Sequence, residues 1–165
     1  MPEGPGHYFG RLTAGRLWGQ PFLIAFLMEL SKAWVQKHPQ HPFGIGDIAR
    51  EDGASMPDHK SHDYGSAVDI FVIHKLGIKR NDKSNVVTYV HPGYDLARTS
   101  DLARQIASLS NTFQLQQFLY NDPKVQKLKA TWPPIKTYVG HDEHIHLNFT
   151  GKHSYSKAKM NETFR

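Results

Sequence analysis

The clearest pattern in the chain is an alternation of polar and apolar residues at His144-Ile145-His146-Leu147-Asn148-Phe149. Successive side chains of a β-strand point to opposite faces. A strand here puts His144, His146 and Asn148 on one face and leaves Ile145, Leu147 and Phe149 to the core. A second strand is predicted over residues 67–73, a run of apolar and β-branched residues with Asp69 in its middle. Residues 21–37 read as a buried helix. Pro21 suits the first turn, Leu23, Phe26, Leu27, Leu30 and Trp34 recur at helical spacing, and His38-Pro39 ends the run.

The remaining pattern is weaker. Residues 43–49 fit a short strand, and residues 50–60 a polar loop that leads toward the Asp69 strand and rims whatever site that strand carries. Residues 86–91 suggest another strand, followed by a turn at His91-Pro92-Gly93-Tyr94. A helix then starts at Thr99 or Ser100, with Asp101 in its first turn and Leu102, Ile106 and Leu109 as its apolar stripe. Residues 113–120 fit strand and helix equally well. Asp122 caps a short basic helix that runs through Lys129, and Trp132-Pro133-Pro134 makes a stiff connection into the strand at 144–149. Residues 1–20 read as an extended lead-in, and the Lys- and Ser-rich stretch 151–165 as a loosely held tail. Together these elements predict a single α+β domain over residues 1–165: a small, mainly antiparallel sheet flanked by helices.

Composition narrows the class. A chain of 165 residues with 39% hydrophobic and 21% charged residues has the makings of one globular core rather than of a disordered segment. A net charge of +5 favours an anionic partner, whether nucleic acid, a membrane surface or an acidic polymer such as the cell wall, although the same excess also serves solubility alone. The absence of cysteine excludes disulfides, thiolate zinc sites and thiol nucleophiles. Residues 21–30 are apolar but do not read as a signal peptide. Glu29 breaks the run, no small-x-small cleavage site follows, and the pattern continues as an amphipathic helix. The stretch is also too short to span a bilayer.

Candidate chemistry gathers on the two strands. A carboxylate in an apolar strand needs a partner, because an unpaired buried charge is strongly disfavoured. His62 lies just upstream of Asp69, in a loop whose turn Gly65 can make. One aspartate, one histidine from this loop and one from the strand at 144–149 make a three-ligand site. Such a set leaves zinc an open fourth position, the arrangement of a catalytic site rather than a structural one. Any one of these histidines alone is more often a satisfied polar residue. The paired spacings H-x-x-G-x-A-x-D (62–69) and H-x-H (144–146) are what point to a metal. His59, three residues before His62, fits a partner of a ligand, a substrate contact or a plain loop histidine, and the reading kept is that it lines the site.

These residues carry a resemblance. His62-x-x-Gly65-x-Ala67-Val68-Asp69-Ile70, followed by Gly140-His141-Asp142-Glu143-His144-Ile145-His146, resembles the zinc peptidases of the lysostaphin, D-Ala-D-Ala peptidase and hedgehog superfamily. More closely, the chain resembles the penicillin-insensitive murein endopeptidases. The likeness extends to Arg16-Leu17-Trp18-Gly19-Gln20-Pro21, to Ile45-Gly46-Asp47 and to Asp58-His59-Lys60-Ser61. The resemblance implies one zinc ion held by His62, Asp69 and His146, with peptidoglycan as the partner and the D-alanyl peptide cross-link as the bond cut. It implies that His144, the first histidine of H-x-H, is a non-ligand catalytic residue. Glu143 is the rival base, because D-Ala-D-Ala-type relatives carry an acidic base three residues before the last ligand. His141 is matched by a family histidine and reads as a shaper of the site or a donor to a substrate carbonyl, although a turn residue of no function fits as well. Some relatives hold a second metal through an Asp and a His after the first ligand strand. Here Asp82 is present, but Asn85 stands where the histidine is expected, which argues against a second tight site.

The alternatives come from other classes. A D,D- or L,D-carboxypeptidase of the same superfamily would use the same residues. A non-catalytic zinc-stabilised module would not need His144 and Glu143. A metal-dependent nuclease would need a basic stripe interleaved with aromatics, which is missing, so no nucleic-acid partner and no membrane insertion are expected. The resemblance places the site of action in the periplasm. Without cysteines or a signal peptide in this chain, that implies a mature form or a specialised route, such as a delivered antibacterial effector or a lysis enzyme with a delivery or cognate immunity protein as partner.

Overall fold

A computed structural model describes residues 3–11, 15–57, 59, 61–62, 64–81, 84–128 and 133–150. Strand β1 (His7–Phe9) precedes helix α1 (Pro21–Lys37), strands β2 (Phe43–Ile45) and β3 (Ala67–Phe71), and helix α2 (Leu96–Phe113). Strand β4 (Leu115–Leu119), the short helix α3 (Pro123–Gln126), and strands β5 (Ile135–Lys136) and β6 (His144–Phe149) complete the order. The six strands form one sheet in the order β1-β2-β3-β6-β4-β5.

The sheet is mixed, which corrects the expectation of a mainly antiparallel one. The central pairings β2–β3, β3–β6 and β4–β6 are antiparallel, but the outer pairings β1–β2 and β4–β5 are parallel. Parallel neighbours need a long crossover. The chain supplies one at each end: α1 lies between β1 and β2, and α3 between β4 and β5.

The helices cover one face. Helix α1 carries Pro at its first turn and buries Phe22, Leu23, Phe26, Leu27, Leu30 and Trp34. The Phe26 ring lies 5.4 Å from Phe113 of α2 and 4.9 Å from Phe149 of β6. Ile145, Leu147 and Phe149 therefore face the helices, and His144, His146 and Asn148 face away from them. The bulge between Leu115 and Gln117 in β4 preserves this sorting. It lets Leu115 and Phe118 both reach the core while Gln117 stays opposite Asn148 on the other face.

Several local expectations need correction. Helix α2 begins at Leu96, not near Thr99, because Asp95 caps it by accepting from the Arg98 backbone N–H at 2.9 Å. Thr99 is instead buried inside the helix, and its Oγ1 accepts from the Ile73 N–H at 3.2 Å. Residues 86–91 are irregular, with a turn at 89–90, rather than a strand, and Tyr89 N–H is satisfied by the Asp142 carbonyl at 3.0 Å. The strand expected over 43–49 stops at Ile45. The expected lead-in over 1–20 contains β1. Helix α3 does carry an Asp122 cap, with Lys124 N–H donating at 2.7 Å, but ends at Gln126. Pro133 and Pro134 lead into β5 rather than directly into β6. Lys129, Trp132 and the tail 151–165 lie outside the described residues.

Candidate metal centre

Strand β3 is buried along its whole length, and Asp69 sits at its centre. The register of β3 with β6 places Asp69 directly opposite His146. Directly opposed residues of an antiparallel pair share a face, with Cβ atoms about 5 Å apart. His146 Nδ1 lies 2.9 Å from Asp69 Oδ1.

His62 enters from the loop before β3 and is fully buried. The loop turns at Gly65, whose φ of +65° suits glycine. A Cβ there would stand 3.1 Å from the Gln20 nitrogen and the Trp18 carbonyl oxygen. The start of α1 grips the loop, since Gln20 N–H donates to Gly65 O at 2.9 Å and Gln20 Nε2 to Tyr64 O at 2.8 Å. His62 Nδ1 donates to the Ile48 carbonyl at 2.7 Å. In the neutral ring this leaves a lone pair on Nε2. That nitrogen lies 3.4 Å from Asp69 Oδ1 and 3.2 Å from His146 Nδ1.

Two imidazole nitrogens and a carboxylate oxygen thus face one another at 2.9–3.4 Å. Two of them, His62 Nε2 and Asp69 Oδ1, have only lone pairs to offer, so a proton or a cation must sit among the three. Ser61 Oγ lies 3.2 Å from His146 Nε2. If Ser61 accepts that N–H, His146 Nδ1 becomes a lone pair as well. A donor set of two histidines and one carboxylate, with each ring held from behind, fits zinc.

A second donor set overlaps the first. Ligand atoms of His59, His62 and Asp69 lie within 4.8 Å of one another and could hold a metal ion. His59 is tied elsewhere, with Nε2 2.8 Å from Asp47 Oδ2 and Nδ1 3.8 Å from the outer oxygen of Asp69. The tighter triangle is the one with His146, and His59 stands beside it, its ring 4.2 Å from that of His62. Asp47 is buried and also takes Arg11 at 3.1 Å and Arg16 at 3.3 Å. Sequence reasoning did not assign Asp47 to the site. The available signal was a lone carboxylate just after an apolar strand, which needs such partners.

His144 points to the same cleft, with Nε2 3.6 Å from Asp69 Oδ1. Burial pushes its pKa down to about 4, against the pull of the nearby Asp69 charge. The ring is therefore neutral at pH 7. For Asp69, burial alone would raise the pKa; the surrounding His144, His146 and His62 rings outweigh it and hold the carboxyl well below its usual range. His141 packs 4.8 Å from His144 and 5.4 Å from His146. Its Nδ1 faces the Tyr138 and Val139 carbonyls at 3.2 and 3.1 Å, and burial lowers its pKa.

Glu143 is placed differently. Arg80 Nη2 donates to its Oε1 at 2.8 Å, and the guanidinium stacks 4.0 Å over Phe71. Glu143 is not among the residues that line the cleft. Asn85 adopts φ +57° and donates to the Lys79 carbonyl at 3.1 Å, the behaviour of a turn residue. Asp58, Lys60, Asp63, Asp82 and Lys83 lie outside the described residues.

The cleft around these groups has a volume of about 370 Å³. Tyr138 and Val139 stand exposed at its mouth, and Gln117 and Leu119 of β4 extend its floor. Over residues 1–163 the sequence matches the family of penicillin-insensitive murein endopeptidases. The chain belongs to that family. No curated protein matches the sequence. A murein endopeptidase is a peptidase of the cell wall, so peptidoglycan is the substrate class that membership implies. For this murein endopeptidase the cleft therefore reads as a peptide site, with the buried His–Asp group at its base able to hold a metal ion. No helix among the described residues is long and apolar enough to cross a membrane.

Proposed function

We propose that the chain is a zinc-dependent endopeptidase that hydrolyses D-alanyl peptide cross-links in peptidoglycan, with zinc held by His62, Asp69 and His146. The observation that carries this reading is the triangle of three donor atoms at 2.9–3.4 Å, two of which have only lone pairs to present. Bound there, zinc would supply Lewis acidity at the base of the cleft.

The protein supplies the proton traffic. His144 is a neutral imidazole, near the triangle but not part of it, so it can accept the proton of attacking water and pass it to the leaving amine. The protonated ring is then stabilised by the Asp69 charge. His141, with Nδ1–H held by the Tyr138 and Val139 carbonyls, presents Nε2 as an acceptor; this fits holding a substrate N–H better than donating to a carbonyl. The Asp47–His59 pair braces the far side of Asp69. Glu143, neutralised by Arg80, has no part in the chemistry. A cysteine-free fold also suits folding in a reducing compartment before delivery to the wall, as an antibacterial effector or a lysis enzyme.

The test is incubation of the zinc-loaded protein with purified muropeptide dimers, with and without a chelator. Release of monomers that stops on chelation and returns with zinc is expected. Intact dimers at full zinc occupancy would sink the reading.

A further inference from the structure

The cleft does not end at the histidines. Gln117 lines both it and a neighbouring depression of about 290 Å³ that is walled by Pro133 and Pro134. Register fixes what lies on this part of the sheet. Gln117 is opposite Asn148, and Leu119 is opposite both His146 on β6 and Lys136 on β5. A line across the strands therefore runs from His146 over Leu119 to Lys136, all on the face turned away from the helices.

Adjacent strands lie about 4.8 Å apart, so Lys136 stands two spacings, roughly 10 Å, from His146. An extended peptide advances about 3.4 Å per residue and covers that span in about three residues. Lys136 is the one lysine or arginine lining either depression among the described residues. It has no carboxylate partner among them. Gln117 and Asn148, paired one row along the strands from Leu119 and His146, flank that line with amide donors and acceptors, the chemistry that holds a peptide main chain.

We propose that Lys136, with Gln117 and Asn148, forms a specificity subsite for a free carboxylate of an acidic stem peptide, about two to three residues from the bond cut. The substrate thus lies across β6, β4 and β5 and leaves over the β5 edge of the sheet. This rests on the endopeptidase reading above and adds the direction and chemistry of the bound chain. Lys136 acts as a point charge on an exposed stem, so its weight is that of a partly screened ion pair.

Two synthetic D-alanyl cross-linked peptides test it, identical except that the side carboxylates are free in one and amidated in the other. The zinc-loaded protein should prefer the free acid by about 3- to 10-fold in kcat/KM. Lys136→Gln should cut both peptides at the rate of the amidated one, and Lys136→Arg should retain the preference. A preference that survives Lys136→Gln, or an equal loss on both peptides, overturns the subsite while leaving the peptidase reading intact. If the wild type cuts neither peptide, calorimetric binding decides. Acid-selective binding lost in Lys136→Gln keeps the subsite on a protein that is not an endopeptidase, and binding indifferent to amidation overturns it.

Discussion

Glu143 and His144 are adjacent in sequence and opposite in expected consequence. The Glu143 carboxylate is 28% exposed and pairs with an Arg80 guanidinium that is only 7% exposed. A surface pair contributes up to about 1 kcal/mol, whereas breaking a buried pair costs about 3–5 kcal/mol because a charge is left behind. This pair lies between the two cases, so Glu143→Gln should cost about 1–2 kcal/mol. For a chain of this length that corresponds to a fall in Tm of about 3–6 °C. Turnover at matched zinc content should stay within about threefold of wild type, because Glu143 does not line the cleft. His144→Gln should do the reverse, with Tm little changed, since an imidazole already neutral at pH 7 is replaced by an uncharged amide, and kcat lowered by about 10²–10⁴. Thermal unfolding and initial rates on muropeptide dimers, measured on the same preparations, give both numbers. A large loss of kcat in Glu143→Gln with an unaltered Tm would refute the assignment and make the glutamate the base.

Three further outcomes follow from the same geometry. His144 has a usual pKa of 6.5 and a folded value of about 4, so between these the unfolded chain binds more protons. Metal-free protein should therefore lose about 3 kcal/mol of stability as pH falls from 6.5 to 4, and urea melts of His144→Gln should show a flatter profile. The Asp69 contribution is lost only at lower pH, below the ordinary carboxylate value, so the windows are separate. Gly65→Ala forces a Cβ against the Gln20 nitrogen and Trp18 oxygen at φ +65°, and should cost about 1–3 kcal/mol and weaken zinc retention through His62. Phe26→Ala empties the contact with Phe113 and Phe149 and should cost about 3–5 kcal/mol in a denaturant titration, with zinc stoichiometry unchanged below the transition.

What the sequence revealed depended on how local the cause was. Helix α1 was legible because Pro21 fixes its start, the apolar spacing fixes its face, and His38-Pro39 sets its end. Strand β6 was legible because alternation is a local property. The outer parallel pairings were not, because they depend on where a crossover lands. The α2 start was misread because Thr99 and Asp95 are both good caps, and only burial of Thr99 against Ile73 decides between them. At the site, period two tells that His144 and His146 share a face, but the β3–β6 register that sets His146 opposite Asp69 is a long-range fact. So are the contact of His59 with Asp47, some dozen residues away, and the Arg80 pairing that removes Glu143 from the cleft.

The proposal that most needs testing is that His62, Asp69 and His146, rather than His59, hold the metal. A crystal of the zinc-loaded protein, with anomalous difference density collected at the zinc edge, tests it most directly. One peak is expected, about 2.0–2.2 Å from His62 Nε2, Asp69 Oδ1 and His146 Nδ1, with His59 still bonded to Asp47. A peak held by His59, His62 and Asp69, with His146 outside bonding distance, would contradict the account.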